Sequence, residues 1–169
     1  MHAFSDLVQR STAFSLNALA VAQDDVMEKF KTSAATSLVK AVQMIQLQKA
    51  ISAVGMFSMF DAILQDQLQC PDGFNKVKAL LEAKDEPILN ERFSDLQLAI
   101  NVLKHGKGRS YDALVQKAGM LPFRVKQPSE SFFNEGDLAE ISTLVEVDDA
   151  FLLLCAEVIH DVSVSILGD

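Results

Sequence analysis

The chain has 169 residues, 49% hydrophobic and 22% charged, with 7 Gly and 4 Pro. This is globular usage for a single domain over residues 1–169, large enough to bury a core unaided, and so few breakers exclude a many-stranded sandwich, which needs a turn signal about every ten residues. A net charge of −8 argues against general nucleic-acid affinity, and Cys70 and Cys155, far apart and without CxxC spacing, support neither a zinc site nor a disulfide framework.

The charge is unevenly spread. Residues 1–103 carry nine Lys/Arg and twelve Asp/Glu, residues 104–126 six and one, and residues 127–169 none and ten. A basic island therefore sits in an acidic chain, suited to a local phosphate contact or to packing against the acidic C-terminal region of its own or a partner subunit.

In chain order, the first helix is predicted from Ser5, whose hydroxyl is placed to cap it, with Leu7, Val8, Phe14, Ala18 and Val21 on its core side. The stretch from Ser11 to Gln23 has an apolar middle and ends Ala-Val-Ala-Gln, like a leader cleavage site, but Asp6 precedes it and Ser15 and Asn17 interrupt it. An amphipathic helix accounts for the same residues. No uninterrupted apolar run approaches the ~18 residues of a membrane span, so the expectation is a cytoplasmic protein without a membrane partner.

Asp24-Asp25 read as the cap of a long second helix reaching about Gln69, with Leu38, Val42 and Ile45 at helical spacing. It is either one rod of ~65 Å or two helices hinged near Gly55. Its second half (Val54, Met56, Phe57, Met59, Phe60, Ile63, Leu64) is apolar nearly all round. That marks a central helix or a subunit interface, and with so few short helices to cover it the expectation is a homodimer.

Cys70-Pro-Asp-Gly73 is a turn, followed by a short helix bearing Phe74, Val77, Leu80 and Leu81. Asp85-Glu-Pro87 opens a helix that runs to His105 and stops at Gly106, and Ser110 is placed to cap another that ends at Gly119. Pro122-Phe-Arg-Val-Lys126 alternates like a half-exposed strand, and Leu138, Ile141, Leu144 and Val147 suit a second, giving a small β-hairpin near 121–147. Asp148-Asp149 cap the final helix, whose Phe151, Leu152, Cys155, Val158, Ile159, Val162 and Ile166 complete the core. The predicted fold is mainly α, an up-and-down helical bundle carrying that hairpin.

One segment is suited to chemistry. On the helix ending at His105, residues Ser94, Gln97, Asn101, Lys104 and His105 share one polar arc, with Phe93, Leu96, Ile100 and Leu103 on an adjoining side. The imidazole of His105 is of the type that gives or takes a proton, Asn101 is placed to orient it, Lys104, Lys107 and Arg109 supply positive charge for a phosphoryl group, and Ser110 opens the next helix. The alternative is a helix terminator followed by a solvated loop, since His in a last turn is stabilised by the helix dipole.

Asn101-x-x-x-His105 followed by Gly106, at the end of a helix in an all-α chain, resembles the motif region of the HEPN (higher eukaryotes and prokaryotes nucleotide-binding) superfamily. The resemblance implies a compact bundle of helices, working as a dimer that joins two motif helices, and in many members a metal-independent ribonuclease of toxin–antitoxin or antiviral systems. It further implies that Asn101 and His105 line an RNA cleft, with His105 assisting attack of a ribose 2′-hydroxyl on the adjacent phosphate. The family's motif Arg is missing: Leu98, Ala99 and Ile100 occupy the positions where it would stand. The expectation is therefore a catalytically degenerate member that binds RNA, a nucleotide or a protein partner.

Elsewhere, Glu146 with Asp148-Asp149 reads as a cap and not as a metal site, and His160 with Glu157 as a surface pair. No P-loop, GxGxxG or GxSxG occurs, and no cofactor or metal is predicted. A second reading of the whole chain is a non-enzymatic interaction module acting through its apolar helix face and acidic C-terminal region.

Overall fold

The computed structural model describes residues 3–130 and 141–168, and these form an all-α fold. Six α-helices follow in order: α1 (Phe4–Phe30), α2 (Thr36–Gln67), α3 (Gly73–Ala83), α4 (Pro87–His105), α5 (Arg109–Gln116) and α6 (Asp149–Val162). A short 3₁₀ turn over Ala118–Met120 follows α5, and a π-helical segment over Ser163–Leu167 extends α6.

The helix starts differ from expectation where capping logic competed with packing. Helix α1 begins one residue before Ser5, with Ala3 in the cap position and no side-chain cap, and Ser5 lies inside the first turn, buried on the inner face. Asp24-Asp25 do not open a second helix. Helix α1 runs through them to Phe30, helped by an ion pair from Lys29 to Asp25 one turn back (2.5 Å). Helix α2 then starts at Thr36 and continues without a hinge through Gly55, about 48 Å of rod at 1.5 Å per residue.

Helix α6 is the centre. It packs against α1, α2 and α4, and Phe151, Leu152, Cys155, Val158, Ile159 and Val162 are all essentially inaccessible. Helix α1 lies along α2 with Phe4 stacked on Phe60 (centroids 6.2 Å). Phe57, Phe74 and Phe93 lock α2, α3 and α4 together through centroid contacts of 5.3–6.3 Å. The buried Lys49 ties α2 to the first residue of α6 through Asp149 at 2.6 Å.

Two turns are dictated by sequence. Asp72 accepts from the Asn75 backbone N–H (3.0 Å) and caps α3. Gly73 lies so close to α2 that a Cβ there would sit 2.7 Å from Leu64 Cβ and 3.0 Å from the Asp61 carbonyl oxygen. Asp148 likewise caps α6, accepting from Phe151 N–H at 2.8 Å.

No strand forms among the described residues. The expected hairpin reduces to one antiparallel bridge between Val125 and Val145, with Lys126 N–H donating to Leu144 O (2.9 Å) and Glu146 N–H to Arg124 O (3.0 Å). Two residue pairs are too few to continue a ladder, and Val125 and Val145 are held instead by burial on the core. Leu138 and the rest of the expected turn lie outside the described residues.

Candidate functional site

The polar arc of α4 lies at the corner where α4 meets α5. Gly106 ends α4 with φ 73° and ψ −142°, a conformation reserved for glycine, while its N–H still closes the last turn onto Val102 O (2.8 Å). Lys104, His105, Lys107 and Arg109 are exposed there, and Asn101 and Ser110 are half-buried. Ser110 does not cap α5: the cap position falls on Gly108, and Ser110 is already inside the first turn.

The basic island shrinks on folding. Lys117 turns away to the Asp95 and Glu91 carboxylates (2.6 and 3.1 Å). The hydrogen bond to Asp95 raises its pKa above the usual lysine range, outweighing burial. Arg124 pairs with Glu130 and Glu146 (3.2 and 3.5 Å), and the backbone N–H of Gln127 together with Arg124 holds the Glu130 carboxyl below its usual range. Lys126 is buried, and its carbonyl accepts from the Tyr111 hydroxyl at 2.6 Å. Lys104, Lys107 and Arg109 remain, with no side-chain ion pair among the described residues.

This corner is open surface. Cavities lie elsewhere, of about 790 Å³ beside the 121–130 segment, about 680 Å³ between α3 and the first half of α4, and about 610 Å³ between the start of α4 and the end of α6, and none of these is lined by Asn101 or His105. Arg92 is not available to it: Glu157 and Asp161 on α6 hold its guanidinium at 2.8 and 3.2 Å. That contact also replaces the expected His160–Glu157 pair, leaving His160 Nδ1 buried without a partner among the described residues. Among those residues no three His, Cys, Asp or Glu side chains are grouped to hold a metal ion, and burial pushes the Cys155 thiol far above its usual range, away from thiolate chemistry.

A different surface was missed by core assignment. The Val54–Leu64 segment is divided: Phe57, Phe60 and Leu64 are fully enclosed by the chain's own helices, while Met59 stands 60% exposed. Leu7, Phe14 and Val21, expected inside, point outward, because Ser5, Val8, Thr12 and Val26 take the inner side of α1. Of twelve large apolar side chains exposed among the described residues, eight lie on α1 and α2; besides Met27 these are Leu7, Phe14, Val21, Met44, Leu47, Ile51 and Met59, each between 49% and 76% exposed. Between the two helices runs a groove of about 470 Å³ lined by Leu7, Ile51, Gly55, Met56 and Met59.

The sequence held a signal for this surface, though not in its hydrophobic periodicity. No charged residue occurs from Ser11 to Gln23, from Ala41 to Gln48 or from Ala50 to Phe60, and the one interruption, Lys49, is buried. Solvated helix faces normally carry charge. Helix α2, and α6 with its π-helical extension, are also long and apolar enough to cross a membrane by length and composition. For α6, central burial accounts for that composition.

Fold and surface together define an all-α domain with an uncharged helix-pair face and a small basic corner. No protein-family model matches the chain, and neither does any curated protein or solved structure compared with it.

Proposed function

We propose that this protein is a non-enzymatic interaction module whose working surface is the α1–α2 face. The observation that carries the reading is the clustering of exposed large apolar side chains on two adjacent helices, six of them (Phe14, Val21, Met44, Leu47, Ile51 and Met59) on stretches that hold no exposed charge. A face of this kind is stable in water when another polypeptide covers it. The test is the paired variant Phe14→Ser/Ile51→Ser, in which both side chains already stand in solvent, so the fold should be retained by circular dichroism. The wild type should either associate or, as a monomer, bind the apolar dye 1-anilinonaphthalene-8-sulfonate, and the variant should do neither. A wild-type monomer that binds no dye sinks the reading.

A second reading is favoured by the three exposed cations Lys104, Lys107 and Arg109 beside His105 and Asn101. In a HEPN-like protein this corner would contact RNA or a nucleotide, with His105 as the acid–base group and Asn101 as its orienting partner. Incubating structured RNA with the wild type and with His105→Ala tests it. Equal cleavage, or none by either, removes His105 as a catalyst.

A further inference from the structure

We propose that the occupant of the α1–α2 face is a second copy of this chain, packed antiparallel about a two-fold axis that passes α2 between Ile51 and Gly55. The inference rests on the interaction reading above and adds the partner and the register.

Charge selects the partner. Residues 1–48 hold four Asp/Glu (Asp6, Asp24, Asp25, Glu28) and four Lys/Arg (Arg10, Lys29, Lys31, Lys40), so the whole −8 of the chain resides in residues 49–169. Two copies meeting by their bodies would set like charge against like charge, whereas copies meeting by α1 and the 41–60 stretch of α2, whose one charge, Lys49, is buried, would not. A basic partner would find its complement on the acidic C-terminal region and gain nothing electrostatic here.

Area fits as well. At on the order of 200 Å² for a whole large residue, the exposed parts of the seven side chains amount to roughly 840 Å² per copy, close to the ~800 Å² each partner contributes to a standard interface. Among residues 17–48 only Val26, Val42 and Ile45 are buried, so this end of the helix pair stands clear of the core and can be approached.

Self-complementarity fixes the register. Met44, Leu47, Ile51, Gly55, Met59 and Ala62 lie on one arc of α2 at ~100° per residue. Turned about an axis between Ile51 and Gly55, Ile51 comes opposite the partner's Gly55, Met44 opposite the partner's Ala62, and Leu47 opposite the partner's Met59. Large side chains meet small ones in the first two pairs, and the flexible thioether of Met59 adapts to Leu47 in the third. Each interface residue then meets its counterpart twice, as an isologous contact demands. The groove over Gly55 is the hole that receives Ile51, and a Cβ at Gly55 would meet nothing of its own chain within 4 Å.

That open position gives a clean variant, since replacing a mid-helix glycine leaves the monomer intact or steadier. By sedimentation the wild type should run at twice its 18.5 kDa chain mass at low-micromolar concentration. Gly55→Lys should weaken the dimer at least about tenfold with unchanged circular dichroism. In a Cys70→Ser background, Leu47→Cys/Met59→Cys should form a covalent dimer on mild oxidation, and Leu47→Cys alone should not. The proposal is overturned by a wild-type monomer at on the order of 100 µM, by a dimer indifferent to Gly55→Lys, or by Leu47→Cys alone cross-linking to its copy. It is equally overturned if phosphatidylcholine–phosphatidylglycerol vesicles bind the chain as a monomer through this face. A monomer that binds the apolar dye in a Gly55-dependent way removes the second copy while the docking face stands. One that binds no dye removes both.

Discussion

Lys117 shows how a single residue changes its role between sequence and fold. In the sequence it belongs to a basic island; in the structure its amine bridges α5 to α4 through Asp95 and Glu91. The raised pKa carries a sign: the protonated amine stabilises the fold throughout the neutral range, and that contribution fades only as pH rises through its elevated value. Lys117→Met should cost about 1–3 kcal/mol at neutral pH because it strands the Asp95 carboxylate without its cation, measured by chemical denaturation. The loss should shrink toward high pH, where the wild-type amine also deprotonates. A substitution without effect would mean that Asp95 finds other partners. Such pairings are invisible in one dimension, because residues 95 and 117 are joined only by the return of α5 along α4.

Elements were legible where a local rule had no competitor. Pro87 in the first turn and Gly106 after the last fix α4, and Asp72 and Asp148 cap α3 and α6 as their types require. The rules failed where the expected capping residue lies inside the first turn, as at Ser5, or where a helix-compatible ion pair carried the chain through an apparent cap, as at Asp24-Asp25. The turn into α3 adds a packing constraint. Gly73→Ala should destabilise the fold by about 1–3 kcal/mol, seen as a lower thermal midpoint, since the new methyl would press on Leu64 of α2 and on the Asp61 backbone. An unchanged midpoint would show that α3 shifts freely on α2.

At the scale of the molecule, two surfaces answer to different forces. Contact between the α1–α2 faces is apolar and uncharged, so its strength should hold or rise as sodium chloride increases from low to high concentration. Binding of an RNA at Lys104, Lys107 and Arg109 should instead weaken steeply, with a logarithmic slope no greater than about three for so few phosphate contacts. Sedimentation and filter binding across one salt series therefore separate the two readings. A dimer that dissociates in salt would contradict the apolar interface.

The sequence by itself determined the helical class, the turn at Cys70-Pro-Asp-Gly73, the limits of α4, and α6 as a core helix, because each follows from local dihedral preference, capping or a continuous apolar run. It also brought Asn101, Lys104 and His105 onto one arc by helical arithmetic. Only the tertiary structure decided which apolar residues are core and which are surface. Phe57, Phe60 and Leu64 look no different in sequence from Phe14, Ile51 and Met59, yet the first three are enclosed and the others stand in solvent. Helical spacing identifies a face but not what lies against it, and the arrival of α6 on one side of α1 and α2 left the other side bare.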